Sequence, residues 1–135
     1  MPPSQPPQPE KSLETVVEEV GLYPMEAYEF IQRGLGYTVD KLHGELKDPD
    51  ASRHVSGRDL CEGLREFALQ QWGLMARTVL TRWNIRKTYD FGRIVFALVE
   101  SNWMQKTDDD TIEDFRDVYD FAAAFDGGYR IESQV

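Results

Sequence analysis

Apolar residues recur at steps of three and four along most of the chain, and this spacing predicts amphipathic helices. A first predicted helix begins after Ser12, a residue type that caps helix N-termini, and ends at Gly21. A second begins at Pro24, and its inward stripe consists of Tyr28, Ile31, Leu35, Val39, Leu42 and Leu46. Gly34 and Gly36 lie inside this second helix, so either a neighbouring element packs closely there or the helix breaks.

Three more helices are predicted in the middle of the chain. The third is capped by Ser56 and ends at Gly73. The fourth covers residues 74–83, and its predicted buried residues are Met75, Val79, Leu80 and Trp83. The fifth is capped by Thr88, continues to about Glu100 and is apolar on most sides. A helix of that kind belongs at the centre of a domain.

Residues 103–121 fit two different structures. Ile112, Phe115 and Tyr119 are spaced as in a helix, whereas every second residue from Phe115 to Phe121 would lie on one side of a strand. We favour a small C-terminal β-hairpin. The predicted fold class is therefore mainly α, a five-helix single domain with a hairpin that gives it a winged-helix-like end.

Length and composition set the domain organisation. A chain of 135 residues suits one domain, and contents of 41% hydrophobic and 12% aromatic residues exclude a wholly disordered chain. Residues 1–11 hold five prolines and are predicted to form a disordered, extended tail. Residues 12–126 are predicted to form a single globular domain, and residues 127–135 a flexible C-terminal tail.

The cellular compartment is predicted from two missing features. The chain has no apolar run of about 18 residues, and its N-terminus lacks the basic and apolar regions of a signal peptide. A cytoplasmic location without membrane association is therefore expected. The lone Cys61 excludes an internal disulfide and a cysteine-based zinc site, and its apolar neighbours predict a buried thiol.

Charge is distributed unevenly along the chain. The net charge of −9 opposes binding to nucleic-acid phosphates or anionic lipid. Residues 77–93 contain one acid and five basic residues, which are Arg77, Arg82, Arg86, Lys87 and Arg93. The stretch from Glu100 onward is acidic and includes Asp108, Asp109, Asp110 and Asp114. These two sets are the candidate interaction surface, for a protein partner or for a second copy of this chain. The alternative interpretation is that they are only solvated faces.

Catalytic motifs are absent or weak. His54 and Ser56 resemble a base and a nucleophile, but no third orienting group and no Gly-x-Ser-x-Gly elbow accompany them, and an N-cap role explains Ser56. The acidic residues 108–114 lack the ligand spacing and the glycine of an EF-hand. No Walker loop, Gly-x-Gly-x-x-Gly or Cys-x-x-Cys occurs. We therefore predict no catalytic, metal or cofactor residues and no cofactor.

Several motif blocks taken together resemble a small bacterial protein family that is largely restricted to planctomycetes and verrucomicrobia. They span residues 12–125, and the clearest are Tyr-Pro-Met-Glu-Ala-Tyr at 23–28, His-x-Ser-Gly-Arg-Asp-Leu at 54–60, Asp-Phe-Gly-x-Ile-Val-Phe-x-Leu-Val at 90–99 and Asp-Phe-x-x-Val-Tyr-Asp-Phe at 114–121. The family's Trp-Gly after the fourth helix is Trp83-Asn84 here, and asparagine suits the same left-handed turn. The resemblance implies no assigned activity.

The leading functional hypothesis is a non-enzymatic protein-interaction module. The alternative is a winged-helix-like nucleic-acid-binding or transcription-associated protein, in which the helix after Thr88 would enter a major groove. A hydrolase that uses His54 and Ser56 is the third and weakest hypothesis.

Overall fold

Five helices account for most of the chain that the computed structural model describes, which is residues 9–44 and 54–127. They are α1 (Leu13–Val20), α2 (Met25–His43), α3 (Gly57–Trp72), α4 (Ala76–Arg82) and α5 (Thr88–Glu100). Three short turns complete them: 3₁₀ turns at Gly73–Met75 and Ile112–Phe115, and a π-helical turn at Ala122–Gly127. The prediction of a mainly helical fold is confirmed. Leu46 and most of both predicted tails lie outside the described residues.

Side-chain caps start two of the helices where the sequence predicted them. The Ser12 hydroxyl accepts a hydrogen bond from the Thr15 amide at 3.1 Å and begins α1, which ends at Gly21 with a φ of +72°. The Ser56 hydroxyl accepts from the Asp59 amide at 3.0 Å and begins α3. These caps depend on residues within one turn of chain, so local sequence is enough to predict them.

The start of α5 differs from the prediction by one residue. Lys87, not Thr88, is the N-cap, and the carboxylate of Asp90 accepts hydrogen bonds from the Arg86 and Lys87 amides. The Thr88 hydroxyl instead donates to the carbonyl of Phe115 at 2.6 Å. The Thr88 side chain, which the local pattern predicted to cap the helix, therefore forms a long-range hydrogen bond instead.

Helices α2 and α3 pack closely at two glycines. A Cβ added to Gly34 would lie 2.3 Å from Cδ2 of Leu64, and one added to Gly63 would lie 1.8 Å from Oγ1 of Thr38. Of the two outcomes that the sequence left open, close packing is therefore the one observed at Gly34, and α2 continues through it. Gly36 faces open space, with nothing within 4 Å.

Helix α5 lies at the centre of the core, as predicted. Phe91, Ile94, Val95 and Leu98 are all fully buried. Phe115, from the turn that follows α5 in the chain, packs on the same helix. The burial of this helix confirms the prediction made from its apolar surface.

The predicted hairpin is not present, because no strand occurs within residues 103–121 of the described chain. Two carboxylates close local turns there instead: Asp110 accepts from the Thr107 amide at 2.8 Å, and Asp114 accepts from the Thr111 amide at 3.0 Å. Backbone groups that a strand ladder would use are therefore already bonded. Phe115 is buried against glycines 57 and 92, so this segment packs as a turn.

Two apolar residues that were predicted to be buried are exposed. Leu42, in the last turn of α2, is 47% exposed, and Met75 is 55% exposed. Helix α4 is also shorter than predicted, and only Ala76 and Leu80 within it are buried. Periodicity identifies which residues share a helix face, but it does not show how far the neighbouring helices cover that face.

The end of the predicted N-terminal tail contacts the domain. The Glu10 amide donates to the carbonyl of Ser101 at 3.2 Å, and the Trp103 indole donates to the carbonyl of Lys11 at 2.8 Å. Residues 10 and 11 are therefore attached to the C-terminal end of α5, ahead of the predicted start of order at Ser12.

Candidate interaction surface

The five basic residues of the predicted surface differ in whether they form ion pairs. Arg77 forms an ion pair with Asp126 at 2.5 Å, and Arg93 forms one with the buried Asp90 at 3.3 Å. Within the described part of the chain, no ion pair is formed by the other three, which are Arg82, Arg86 and Lys87. Two of the five cations are thus already neutralised by partners that are distant in sequence or buried.

The predicted acidic residues also divide into two kinds. Asp108 and Asp109 are exposed. Asp110 is buried, with one carboxylate oxygen 3.4 Å from Nε2 of His54, and the carboxylate of Asp114 bonds the Thr111 amide from an exposed position. Asp110 and Asp114 therefore hold local turns. Fewer charged residues are therefore available for a partner than the charge counts predicted.

One flank of α4 combines exposed apolar groups with an unpaired cation. Leu74 is 68% exposed and Met75 55% exposed, immediately before the helix. Met75, Val79 and Trp83 follow one another at steps of four, so they form one row, and Arg82 lies beside that row. We call these five residues, Leu74, Met75, Val79, Arg82 and Trp83, the α4 patch.

Buried aromatic rings support the α4 patch from beneath. The ring of Trp83 meets that of Trp72 edge-on, with centroids 5.4 Å apart. Both contact the ring of the fully buried Phe30, at 5.3 Å for Trp72 and 5.8 Å for Trp83. Aromatic rings packed in this way have few rotamers available. The Trp83 end of the patch is therefore held in place before any partner binds.

Asn84 ends α4 and positions the residues next to the patch. Its φ of +66° places it in the left-handed region, which confirms the turn predicted for this asparagine. The Asn84 amide group donates to the carbonyl of Leu22 at 3.2 Å, and its oxygen accepts from Nε of Arg86 at 3.3 Å. Leu22 is itself 48% exposed. The turn at Asn84 thus connects the end of the patch to the backbone of the exposed Leu22 and to a second arginine.

A buried carboxylate holds the loop that carries this second arginine. Asp90 accepts a hydrogen bond from the Tyr23 hydroxyl at 2.6 Å and one from the Arg86 amide at 2.8 Å. Burial, together with the hydrogen bond to Asp90, raises the pKa of Tyr23 well above its usual value. The backbone at Arg86 is therefore fixed by contacts within the core.

A cleft of about 300 Å³ adjoins the same loop. Its lining residues are Arg86, Lys87, Asp117, Tyr119, Asp120 and Phe121. Asp117 has a φ of +50°, and the Tyr119 hydroxyl donates to the carbonyl of Cys61 at 2.6 Å. The proximity of Asp117 and Asp120 to the basic residues was not predicted from the sequence. Their placement depends on the 3₁₀ turn that replaces the predicted hairpin.

The hydrolase hypothesis gains no support from the arrangement of its residues. The Ser56 hydroxyl caps α3, as described above, and Nε2 of His54 lies near the carboxylate of Asp110. Nε2 of His43 bonds the carbonyl of His54 at 2.8 Å. Among residues 9–44 and 54–127, no three or more His, Cys, Asp or Glu side chains are grouped so that they could hold a metal ion.

The recognition-helix hypothesis conflicts with the burial of α5. Thr88, Phe91 and Ile94 face the core, and Asp90 is bonded inside the protein. A helix that reads a major groove must present polar side chains to the bases. The exposed long polar side chains of α5 are Arg93, which is paired with Asp90, and Glu100 at the end of the helix.

Two further observations bear on function. None of the helices in the described chain is long and apolar enough to cross a membrane. Comparisons of the chain with protein-family models, with curated proteins and with solved structures found no match.

Proposed function

We propose that this chain is a non-enzymatic protein-interaction module and that its α4 patch binds a protein partner. The observation that carries this proposal is the exposure of Leu74 and Met75 next to the half-buried Trp83. Single exposed apolar residues are common, whereas clusters of large ones on a small domain often mark binding sites.

The chemistry of the patch matches that of the centres of protein interfaces. Tryptophan, methionine and arginine are enriched there, and lysine and acidic residues are depleted. The flexible side chain of Met75 can adapt to a partner, while Trp83 supplies a fixed surface. Covering Leu74 or Met75 would contribute on the order of 1 to 2 kcal/mol each.

Membership of the bacterial family that the motif blocks resemble remains a prediction, and so does the cytoplasmic location. Neither adds an activity to this proposal. A second copy of this chain stays a candidate partner, and the experiment below includes it.

The proposal is tested by comparing two double variants with the parent protein. The first, Leu74→Glu with Arg82→Glu, changes the patch. The second, Leu42→Glu with Arg58→Glu, makes the same chemical changes at two exposed positions elsewhere. Arg58 lies fourteen residues before Trp72 on α3, which is about 20 Å along the helix.

We expect the patch variant to recover at least about tenfold less partner from native lysate than the parent, because both an apolar contact and a charge are lost. The control variant should recover as much as the parent. Both melting temperatures should stay close to that of the parent, since all four positions are exposed. Equal recovery by the two variants, by affinity capture and mass spectrometry, would contradict the proposal.

A further inference from the structure

We infer that the partner presents an acidic amphipathic α-helix to the α4 patch. This inference rests on the proposed function and specifies the kind of partner. Three features of the patch carry it: the helical row of apolar side chains, the unpaired arginines at its edge, and an existing acidic contact on the other flank of α4.

The shape of the patch suits a helix. Met75, Val79 and Trp83 form a row at steps of four, and rows of this kind pack into the grooves of a second helix. The row is about 12 Å long, since it spans eight residues at 1.5 Å each. A partner helix with apolar residues at positions i, i+4 and i+7 covers nearly the same length. A peptide that binds by adding a β-strand would need a free strand edge, and the described chain contains no strand.

The positive charge of the arginines at the edge of the patch favours an acidic partner. Arg82 forms no ion pair within the described residues, and the guanidinium of Arg86 is bonded there only to the neutral side chain of Asn84. A carboxylate placed against either arginine would gain a charge-assisted hydrogen bond. A lysine or arginine in the same place would be repelled, so the charge selects among apolar helices.

The opposite flank of α4 already pairs with an acidic residue of this same chain. The π-helical turn Ala122–Gly127 packs against α4, and its Asp126 pairs with Arg77 at 2.5 Å. Phe125 of this turn is buried. A carboxylate therefore already pairs with an arginine on one flank of α4, and the proposed partner would form the same kind of pair on the other flank.

A helix is favoured over an anionic membrane because of the size of the surface that each would meet. A lipid surface is flat and faces a whole side of a molecule whose net charge is −9. A helix touches the patch alone, and charges farther away than about 8 Å are screened at physiological salt. The local arginines then decide the interaction.

The experiment is a selection from a display library of 18-residue peptides. Each peptide has leucine at positions i, i+4 and i+7 of one face and random residues at the flanking positions. We expect the full-length protein to enrich aspartate and glutamate at the flanks. The best selected peptide should bind in fluorescence anisotropy, and the same peptide with lysine in place of its acids should bind at least about tenfold more weakly.

A charge exchange separates recognition from folding. Arg82→Glu should lower the affinity for the acidic peptide by about fivefold or more and raise the affinity for the lysine peptide. Arg58→Glu, the matched control on α3, should change neither affinity. If Arg82→Glu instead disturbed the fold, the affinities for both peptides would fall together.

Several results would overturn the inference. These are enrichment of neutral or basic flanks, an absence of selected helical peptides, binding to phosphatidylserine vesicles that depends on Leu74, or a dimer that buries the patch. The proposed function is judged separately by the double-variant recovery. If partner recovery depends on the patch but no acidic helix is selected, the proposed function stands and this inference fails.

Discussion

Gly92 shows how the absence of a side chain allows the turn that carries Phe115 to pack on α5. A Cβ at this position would lie 2.8 Å from both Cβ and Cγ of Phe115, which is closer than side chains approach. The turn that carries Phe115 can therefore reach α5 only where α5 has no side chain. Gly57, at the start of α3, contacts the same ring, since a Cβ there would lie 3.0 Å from Cε1 of Phe115.

We expect Gly92→Ala to lower the free energy of unfolding by about 1 to 2 kcal/mol, because the cost of overpacking exceeds the gain in helix propensity. Gly36→Ala is the matched control, since Gly36 is also helical but has nothing within 4 Å. It should raise stability by about 0.5 to 1 kcal/mol. Urea denaturation measures both, and a stabilising Gly92→Ala would show that the contact with Phe115 is not tight.

The hydroxyl of Tyr28 lies in the core and forms no hydrogen bond within the described chain. Burial raises the pKa of Tyr28 to about 12 from its ordinary value of 10. Below pH 10 the Tyr28 hydroxyl is protonated in both the folded and the unfolded chain, so its ionisation does not affect the free energy of unfolding. As the pH rises from 10 toward 12, the free energy of unfolding falls, because the unfolded chain releases this proton first.

Tyr28→Phe removes this titrating group. We expect the fall in the free energy of unfolding above about pH 10 to become shallower, and the stability near pH 7 to stay equal or rise by up to about 1 kcal/mol, because a buried unpaired hydroxyl is removed. Urea denaturation at about pH 7, 10 and 11 measures both effects. Identical pH profiles for the two proteins would contradict the assignment.

At the scale of elements, α2 and α3 depend on the close contact of Gly63 with Thr38. The Thr38 hydroxyl also donates to the carbonyl of Gly34 at 2.7 Å, which fixes its orientation toward α3. We expect Gly63→Ala to lower the free energy of unfolding by about 3 kcal/mol, since the new methyl group would overlap the Thr38 side chain.

A double variant tests whether this overlap is the cause. Thr38→Ala removes the hydroxyl and a methyl group, so the loss in the double variant should be smaller than the sum of the two single losses by about 1 kcal/mol. Additive losses in thermal or urea denaturation would mean that Gly63 matters for another reason.

The elements also show what the sequence can predict. Helix starts at Ser12 and Ser56 depend on hydrogen bonds within one turn, so they were predicted correctly. The Phe115 segment was predicted as a strand because alternation and helical spacing coexist there, and the choice is made by glycines 57 and 92, far away in the sequence. The exposure of Met75 was missed because periodicity does not reveal where a neighbouring helix ends.

At the scale of the whole molecule, counts of charge along the sequence overstated the charge separation at the surface. Arg77 and Asp126 are forty-nine positions apart in the chain and neutralise each other, and Arg93 is neutralised by Asp90. The Arg77–Asp126 pair cannot be read from one sequence without the fold, whereas Asp90 and Arg93 are three residues apart on α5. The sequence did identify the basic stretch 77–93, in which Arg82, Arg86 and Lys87 form no ion pair within the described residues.

The position of Phe115 also has a consequence for how the protein is made. A ribosome releases the chain from its N-terminus, so α1 to α5 emerge before the ring that fills the space beside glycines 57 and 92. A nascent chain that ends at Glu100 would have all five helices and still leave this part of α5 open to water. Residues 101–115 must therefore be translated before the ring of Phe115 can complete this part of the core.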